Sequence, residues 1–277
     1  MKKLIIAIAC ATLLFDVTAQ IKMPAPSPTQ TVSQAFGMGS INVTYSRPVM
    51  KGRKVMGNLV PFGEVWRTGA NAATIIRFTA AVEIQGKKID TGSYALYTIP
   101  GADNWQIVLN RGITNWGSDG YDEKADVARF TVKKSNTAKP VESFTIQFTD
   151  VKPTTCNLEI MWERTSVVLP IVAYNLTNTI KADIEKAIAT NAKKPYWQAA
   201  QFYNEFDNNP TKALQYINSA VEENPKAFYM WLYKAKIEMA MGDKAAAKTS
   251  ANKSLELSKE AKNNDYIKMN MDLLKKL

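Results

Sequence analysis

The chain has 277 residues, enough for two ordinary domains, and 46% of them are hydrophobic against 22% charged, which excludes a disordered polyelectrolyte. Its formal charge of +10 is spread along the chain, with 17 basic and 12 acidic residues over 20–173 and 16 and 12 over 174–277. That distribution speaks against a nucleic-acid partner, whose footprint is a basic patch or stripe. Histidine is absent, and with it go His general-base catalysis, Ser-His-Asp and Cys-His nucleophile systems, and every His-ligated metal centre.

At the N-terminus, Lys2-Lys3 precede an apolar run from Leu4 to Phe15, and Val17-Thr18-Ala19 form a small-residue cleavage site before Gln20. This is the pattern of a secretory signal peptide over residues 1–19, too short to span a bilayer. It predicts export to the periplasm or the outer surface. Ala7-Ile8-Ala9 before Cys10 offer a lipoprotein alternative, but that cut would leave Leu13, Leu14 and Phe15 at the mature N-terminus. Cleavage before Gln20 leaves Cys156 alone, so no disulfide can form within the chain. No later stretch is long and apolar enough for a transmembrane segment.

Residues 20–30 are Pro-rich and polar and read as an extended lead-in. Over 31–173 short alternating runs are separated by turn residues. They begin with Ile41/Val43/Tyr45, Thr74–Thr79 and the hairpin Val82/Ile84 to Ile89 across Gln85-Gly86-Lys87-Lys88. Tyr94–Ile99, Trp105–Leu109, Val127–Val132, Phe144/Ile146/Phe148, Leu158/Ile160/Trp162 and Val167–Val172 follow. Nine strands without an intervening helical period predict an antiparallel β-sandwich or barrel.

The period changes near Tyr174, and residues 174–277 read as an all-α segment. Leu176, Ile180, Ile184 and Ile188 form the stripe of an amphipathic helix. Trp197 and Trp231, Ala213 and Ala247, and Ala220 and Ser254 are each 34 residues apart. Pro225 closes a first unit, and Gly242-Asp243 turn the second. These positions resemble the tetratricopeptide repeat, with Gln201 and Asn208 departing from its small residues. The resemblance implies stacked helical hairpins, flanked by the stripes at 176–188 and at Ile267/Met271/Leu274, that dock a protein or peptide partner.

The chemistry-bearing residues are few. Cys156 shares the parity of Leu158, Ile160 and Trp162 and is expected in the core, where a thiol is inert. Ser250 and Lys253 match a Ser-x-x-Lys pattern without its companion motifs. Asp119, Asp122, Glu123 and Asp126 form an acidic loop lacking the spacing of a calcium site; as paired carboxylates they would support an enzyme acting on carbohydrate or cell-envelope material. No cofactor and no metal set is implied.

The densest stretch runs from Tyr45 to Asn71. All seven arginines lie before residue 165, and Arg47, Arg53 and Arg67 fall in this stretch together with Trp66 and several glycines. One reading is a site for an anionic or sugar-like ligand, with Arg47, Arg53, Arg67, Asn71, Trp66 and Trp116 as candidate binding residues. The other is a structural corner, with Trp66 as core filler and Arg67 paired to a carboxylate. If 64–67 is extended, Trp66 and Arg67 face opposite ways and Arg67 lies at the surface.

Tyr45-Ser46-Arg47-Pro48, Lys51-Gly52-Arg53, the string from Val60 to Asn71 containing Trp66-Arg67-Thr68-Gly69-Ala70-Asn71, Gly92 to Gly101, Trp105 to Asn110 and Asn115-Trp116-Gly117 together resemble an exported bacterial family, domain of unknown function 2911. The likeness covers roughly residues 25–172. It brings no reaction, ligand or catalytic residue, and some members carry a helical repeat after the domain. The expectation is an exported binding and scaffold protein.

Overall fold

The computed structural model describes residues 23–277, so the expected leader and Cys10 lie outside the described residues. Nine strands come first: β1 (Thr29–Phe36), β2 (Gly39–Ser46), β3 (Ala70–Phe78), β4 (Val82–Ile84), β5 (Lys87–Ile89), β6 (Gly92–Ile99), β7 (Asn104–Asn110), β8 (Asp126–Thr149) and β9 (Thr155–Ala173). They form one antiparallel sheet in the order β1-β2-β3-β6-β7-β8-β9-β4-β5.

The sheet doubles over along β8. The first part of this 24-residue strand pairs with β7, from Asp126 opposite Asn110 to Lys133 opposite Asn104. The remainder, from Lys134 onward, pairs with β9, with register shifts between Asn136 and Val141 and between Val141 and Thr145. Bulges of this kind bend a strand and raise its twist. The two halves then face each other over one core containing Ile41, Val43, Ile76, Leu96 and Ile107 from the first half and Phe144, Ile146, Leu158 and Ile160 from the second. Polar links cross it as well: the Ile146 N–H donates to the Tyr45 hydroxyl at 2.9 Å.

Three differences from the strand reading have physical causes. β8 joins the runs 127–132 and 144–148, and β9 joins 158–162 and 167–172. Pro140, between the first two runs, falls at the register shift of β8, where a residue without an N–H costs the ladder nothing. β1 begins inside the stretch read as lead-in; it sits at the end of the sheet order with alternate residues half-exposed, so its alternation carries few large apolar side chains.

Six helices follow: α1 (Leu176–Thr190), α2 (Tyr196–Glu205), α3 (Pro210–Glu223), α4 (Phe228–Ala240), α5 (Lys244–Glu260) and α6 (Asn264–Leu274). Positions 34 residues apart play matching parts in the hairpins α2–α3 and α4–α5. Ala213 and Ala247 are both sealed from solvent, as are Ala220 and Ser254. Asn209 caps α3 by accepting from the Lys212 N–H at 3.1 Å, and Asp243 caps α5 by accepting from Ala246 at 2.9 Å. The preceding residues, Asn208 (φ +48) and Gly242 (φ +87), are both left-handed. Asn208 therefore departs from Gly in residue type but keeps the backbone, since asparagine tolerates that region better than most side chains. Ile180, Ile184 and Ile188 of α1 pack onto this helical core, and Leu273 of α6 covers Leu232, Ala235 and Ala251. Among the described residues no helix is long and apolar enough to cross a membrane.

Candidate functional site

The stretch after β2 ties the two halves of the sheet together. Val49 bridges Ser143, and the N–H groups of Phe144 and Met50 donate to Pro48 O and Glu142 O. Arg47 is used here as a brace: Nε donates to Phe144 O at 2.9 Å and a terminal nitrogen to Thr145 Oγ1 at 2.8 Å. The chain turns back through Val55 and Val60, both buried, and reaches Trp66, whose N–H and C=O pair with Thr98 at 2.8 and 2.9 Å.

Trp66 is wedged among aromatic rings, with Phe144 at 5.0 Å and Trp105 at 6.3 Å edge-on and Trp162 stacked at 5.9 Å. Its indole N–H donates to Gly69 O at 3.1 Å. The chain then makes a turn with positive φ at Thr68 (+54), Gly69 (+154) and Asn71 (+61). A β-branched residue at positive φ is an outlier that costs about 1–3 kcal/mol and persists only where its surroundings hold it. Thr68 is fully buried; its hydroxyl donates to Thr98 Oγ1 at 3.1 Å, and its carbonyl accepts from Thr74 Oγ1 at 2.6 Å. Gly69 has no room for a side chain, because a Cβ there would lie 2.9 Å from Ser46 O. Asn71 donates through Nδ2 to Ser27 O and Ser46 Oγ, both at 3.2 Å.

Beside this turn lies a pocket of about 300 Å³ lined by Arg53, Trp66, Arg67, Pro48, Leu59, Val60, Trp162, Gly69, Ala70 and Ser27, with no acid among them. Arg53 is exposed but fixed, its Nε donating to Met50 O at 2.9 Å and a terminal nitrogen to Val49 O at 2.7 Å. Arg67 is half-buried, and its Nε is shielded from solvent with no acceptor among the described residues. The loop at Asn115–Gly117 approaches it closely: a Cβ on Gly117 would be 3.5 Å from an Arg67 terminal nitrogen, and the Gly117 N–H donates to Asn71 O.

The six residues singled out by sequence therefore separate. Arg53, Trp66 and Arg67 line one pocket. Arg47 and Asn71 are spent on bracing its surroundings, and Trp116, bridged to Ala72, stands 73% exposed outside it. The expectation that Arg67 faces away from Trp66 into solvent does not hold. The extended pairing here is a single bridge at Trp66, and Arg67 is half-buried and borders the same pocket as Trp66. Nor, among the described residues, does Arg67 pair with the carboxylate of the corner reading. Trp162 and Ser27, also in the lining, carried no sequence signal, since only the doubled sheet and the register of the lead-in bring them there.

The acidic loop does not converge on this pocket. Asp122 caps the 3-10 turn Glu123–Ala125 by accepting from the Lys124 N–H. Asp126 accepts from Arg129, the Tyr121 hydroxyl and Asn110 at 2.6, 2.9 and 2.7 Å. Burial, and then the Asp126 carboxylate, push the Tyr121 phenol up to about 12. Cys156 is buried as expected, and burial pushes its thiol up to about 11. On the helices, Tyr196, Trp197, Tyr229, Lys193 and Lys194 border a second pocket of about 240 Å³.

An antiparallel sheet doubled over one apolar core, with an arginine-lined pocket beside the Thr68 turn and helical hairpins after it, defines a two-part protein, a β domain with a helical extension. The chain belongs to the family described as Protein of unknown function (DUF2911), whose model matches residues 27–171, just over half of the sequence. Neither the curated proteins nor the solved structures contain a match.

Proposed function

We propose that this chain is an exported binding and scaffold protein whose β domain holds a small ligand in the Arg53–Trp66–Arg67 pocket. The helical hairpins, read as a tetratricopeptide-like array, dock a protein or peptide partner. The observation that carries the reading is the pocket itself, a concave site with fixed polar groups on an apolar wall, held by a strained turn. The matching caps and alanines 34 residues apart support the repeat, and the aromatic pocket of α2 and α4 supports a peptide as its occupant.

The pocket is tested by recording the Trp66 indole N–H resonance while small-molecule classes are titrated into the full chain. A ligand of the β domain should move it, and a ligand of the helices should leave it in place. Classes that bind without ever moving it would overturn the assignment. Export is tested on native protein by intact mass: cleavage before Gln20 is expected, and retention of Met1 or a lipid on Cys10 contradicts it.

A further inference from the structure

We propose that the occupant of the Arg53–Arg67 pocket is a small organic anion. Its carboxylate or phosphate oxygens would lie against the two guanidinium groups, and its apolar part against Pro48, Leu59 and Trp66. The inference rests on the pocket being a ligand site and adds the chemistry of that ligand.

Charge balance comes first. Two arginines line the pocket and no acid does. Glu142 accepts from the Lys51 N–H at 2.9 Å and Glu163 from Met56 at 3.0 Å, and Glu64, within the stretch itself, is exposed and lies outside the pocket lining. No ion pair within 4 Å is formed by Arg53 or Arg67 among the described residues. Arg53 can satisfy two of its nitrogens on backbone carbonyls and still present its charge. Arg67 is different, because its Nε is cut off from water with no partner among the described residues, so that atom is desolvated without compensation from them. An anion in the adjoining pocket supplies the missing countercharge and accepts from the remaining N–H groups, the geometry for which a guanidinium fork is suited.

Preorganisation comes second. The fork of Arg53 is fixed by Val49 and Met50, and Arg67 is carried on a turn locked through Thr68 and Gly69. The Arg53 cation and the backbone that carries Arg67 are thus placed before any ligand arrives, which lowers the entropic cost of binding. A neutral sugar fits less well. Its hydroxyls need acceptors as well as donors, and the side-chain polar groups of the lining are two arginines, Ser27 and the indole N–H groups of Trp66 and Trp162, both already given to Gly69 O and Glu142 O. Trp162, the second indole in the wall, is only 2% exposed and offers no platform. A volume of about 300 Å³ limits the ligand to a small molecule.

The test uses the full mature chain at low ionic strength with matched probes, benzoate against its neutral isostere benzamide and phenyl phosphate against phenol. The readout is the Trp66 indole N–H resonance. The anion of a pair should bind about tenfold or more tightly than its neutral partner and weaken as salt is raised. Benzoate ahead of phenyl phosphate identifies a carboxylate ligand, and the reverse order a phosphate ligand. Arg67→Gln should abolish the preference with an unchanged melting temperature, and Arg67→Lys should restore it only in part, because the charge returns without the fork. Benzamide or phenol moving Trp66 as strongly as the anions, with no effect of Arg67→Gln, overturns the anion inference and leaves the pocket as a ligand site. Silence from all four probes overturns both.

Discussion

Arg47 gives its nitrogens to Phe144 O and Thr145 Oγ1, whereas the Nε of Arg67 has no acceptor among the described residues. Hydrogen bonds from a charged group contribute about 1.5–3 kcal/mol each when the acceptor would otherwise be left unmet. Arg47→Ala should therefore lower stability by about 2–4 kcal/mol, read as a shift of the denaturant midpoint, and Arg67→Ala should leave the midpoint nearly in place. An equal loss for both would mean that Arg67 also braces the fold. Sequence could not separate them, because both are arginines within a Gly- and Pro-rich stretch and the difference lies in β8, about a hundred residues away. Cys156 was legible, since strand parity alone put it inside. Its folded thiol titrates near 11 against 9.0 for an exposed one, so the stabilising contribution is complete below pH 9 and is lost as pH rises toward 11. The raised phenols of Tyr45, Tyr94, Tyr121, Tyr203 and Tyr233, whose unfolded value is 10.0, add a loss of the same sign that sets in as pH approaches 10.0. Between pH 9 and 10 the wild type should lose stability with pH, and Cys156→Ala, although less stable overall, should show a flatter slope in denaturant titrations.

The helical hairpins were readable as elements because their repeat is local: caps, turn and small contact residues all lie within 34 positions of their counterparts. Ala247 of α5 is sealed from solvent, and Ala247→Leu should overpack its surroundings at a cost of about 1–3 kcal/mol. At Asn208 the backbone (φ +48) discriminates by side chain. Asn208→Gly should be tolerated to within a few tenths of a kcal/mol, while Asn208→Val should cost about 1–2 kcal/mol, because a β-branched Cβ clashes in the left-handed region. Urea titrations followed by far-UV dichroism would measure both, and equal tolerance of Gly and Val would contradict the shared turn. The strands were less legible where their pairing is long-range. A polar run with a proline looks like a turn until it is seen at the bulge on which β8 changes partner, and β1 declares itself only by pairing along the whole of β2.

The two parts have separate cores. The largest cluster draws only on residues between Val32 and Ala173, while the helical clusters begin at Ile180. Between them lie the tie from Tyr174 N–H to Ala81 O and a small cleft of about 170 Å³ bordered by Phe36, Met38, Tyr174 and Leu176. A junction of this kind transmits little stabilisation, so each core should unfold under its own free energy instead of in one concerted step. Calorimetry of the full chain should resolve two transitions. Ala247→Leu should lower one, and Arg47→Ala should lower the other. An anion bound at Arg53 and Arg67 should raise only the transition that Arg47→Ala lowers, by mass action on the folded β domain. If every perturbation moved a single common transition, the cores would be coupled through the junction. Binding at the β pocket could then be felt by a partner on the helices, and the independence argued from the separate clusters would fail.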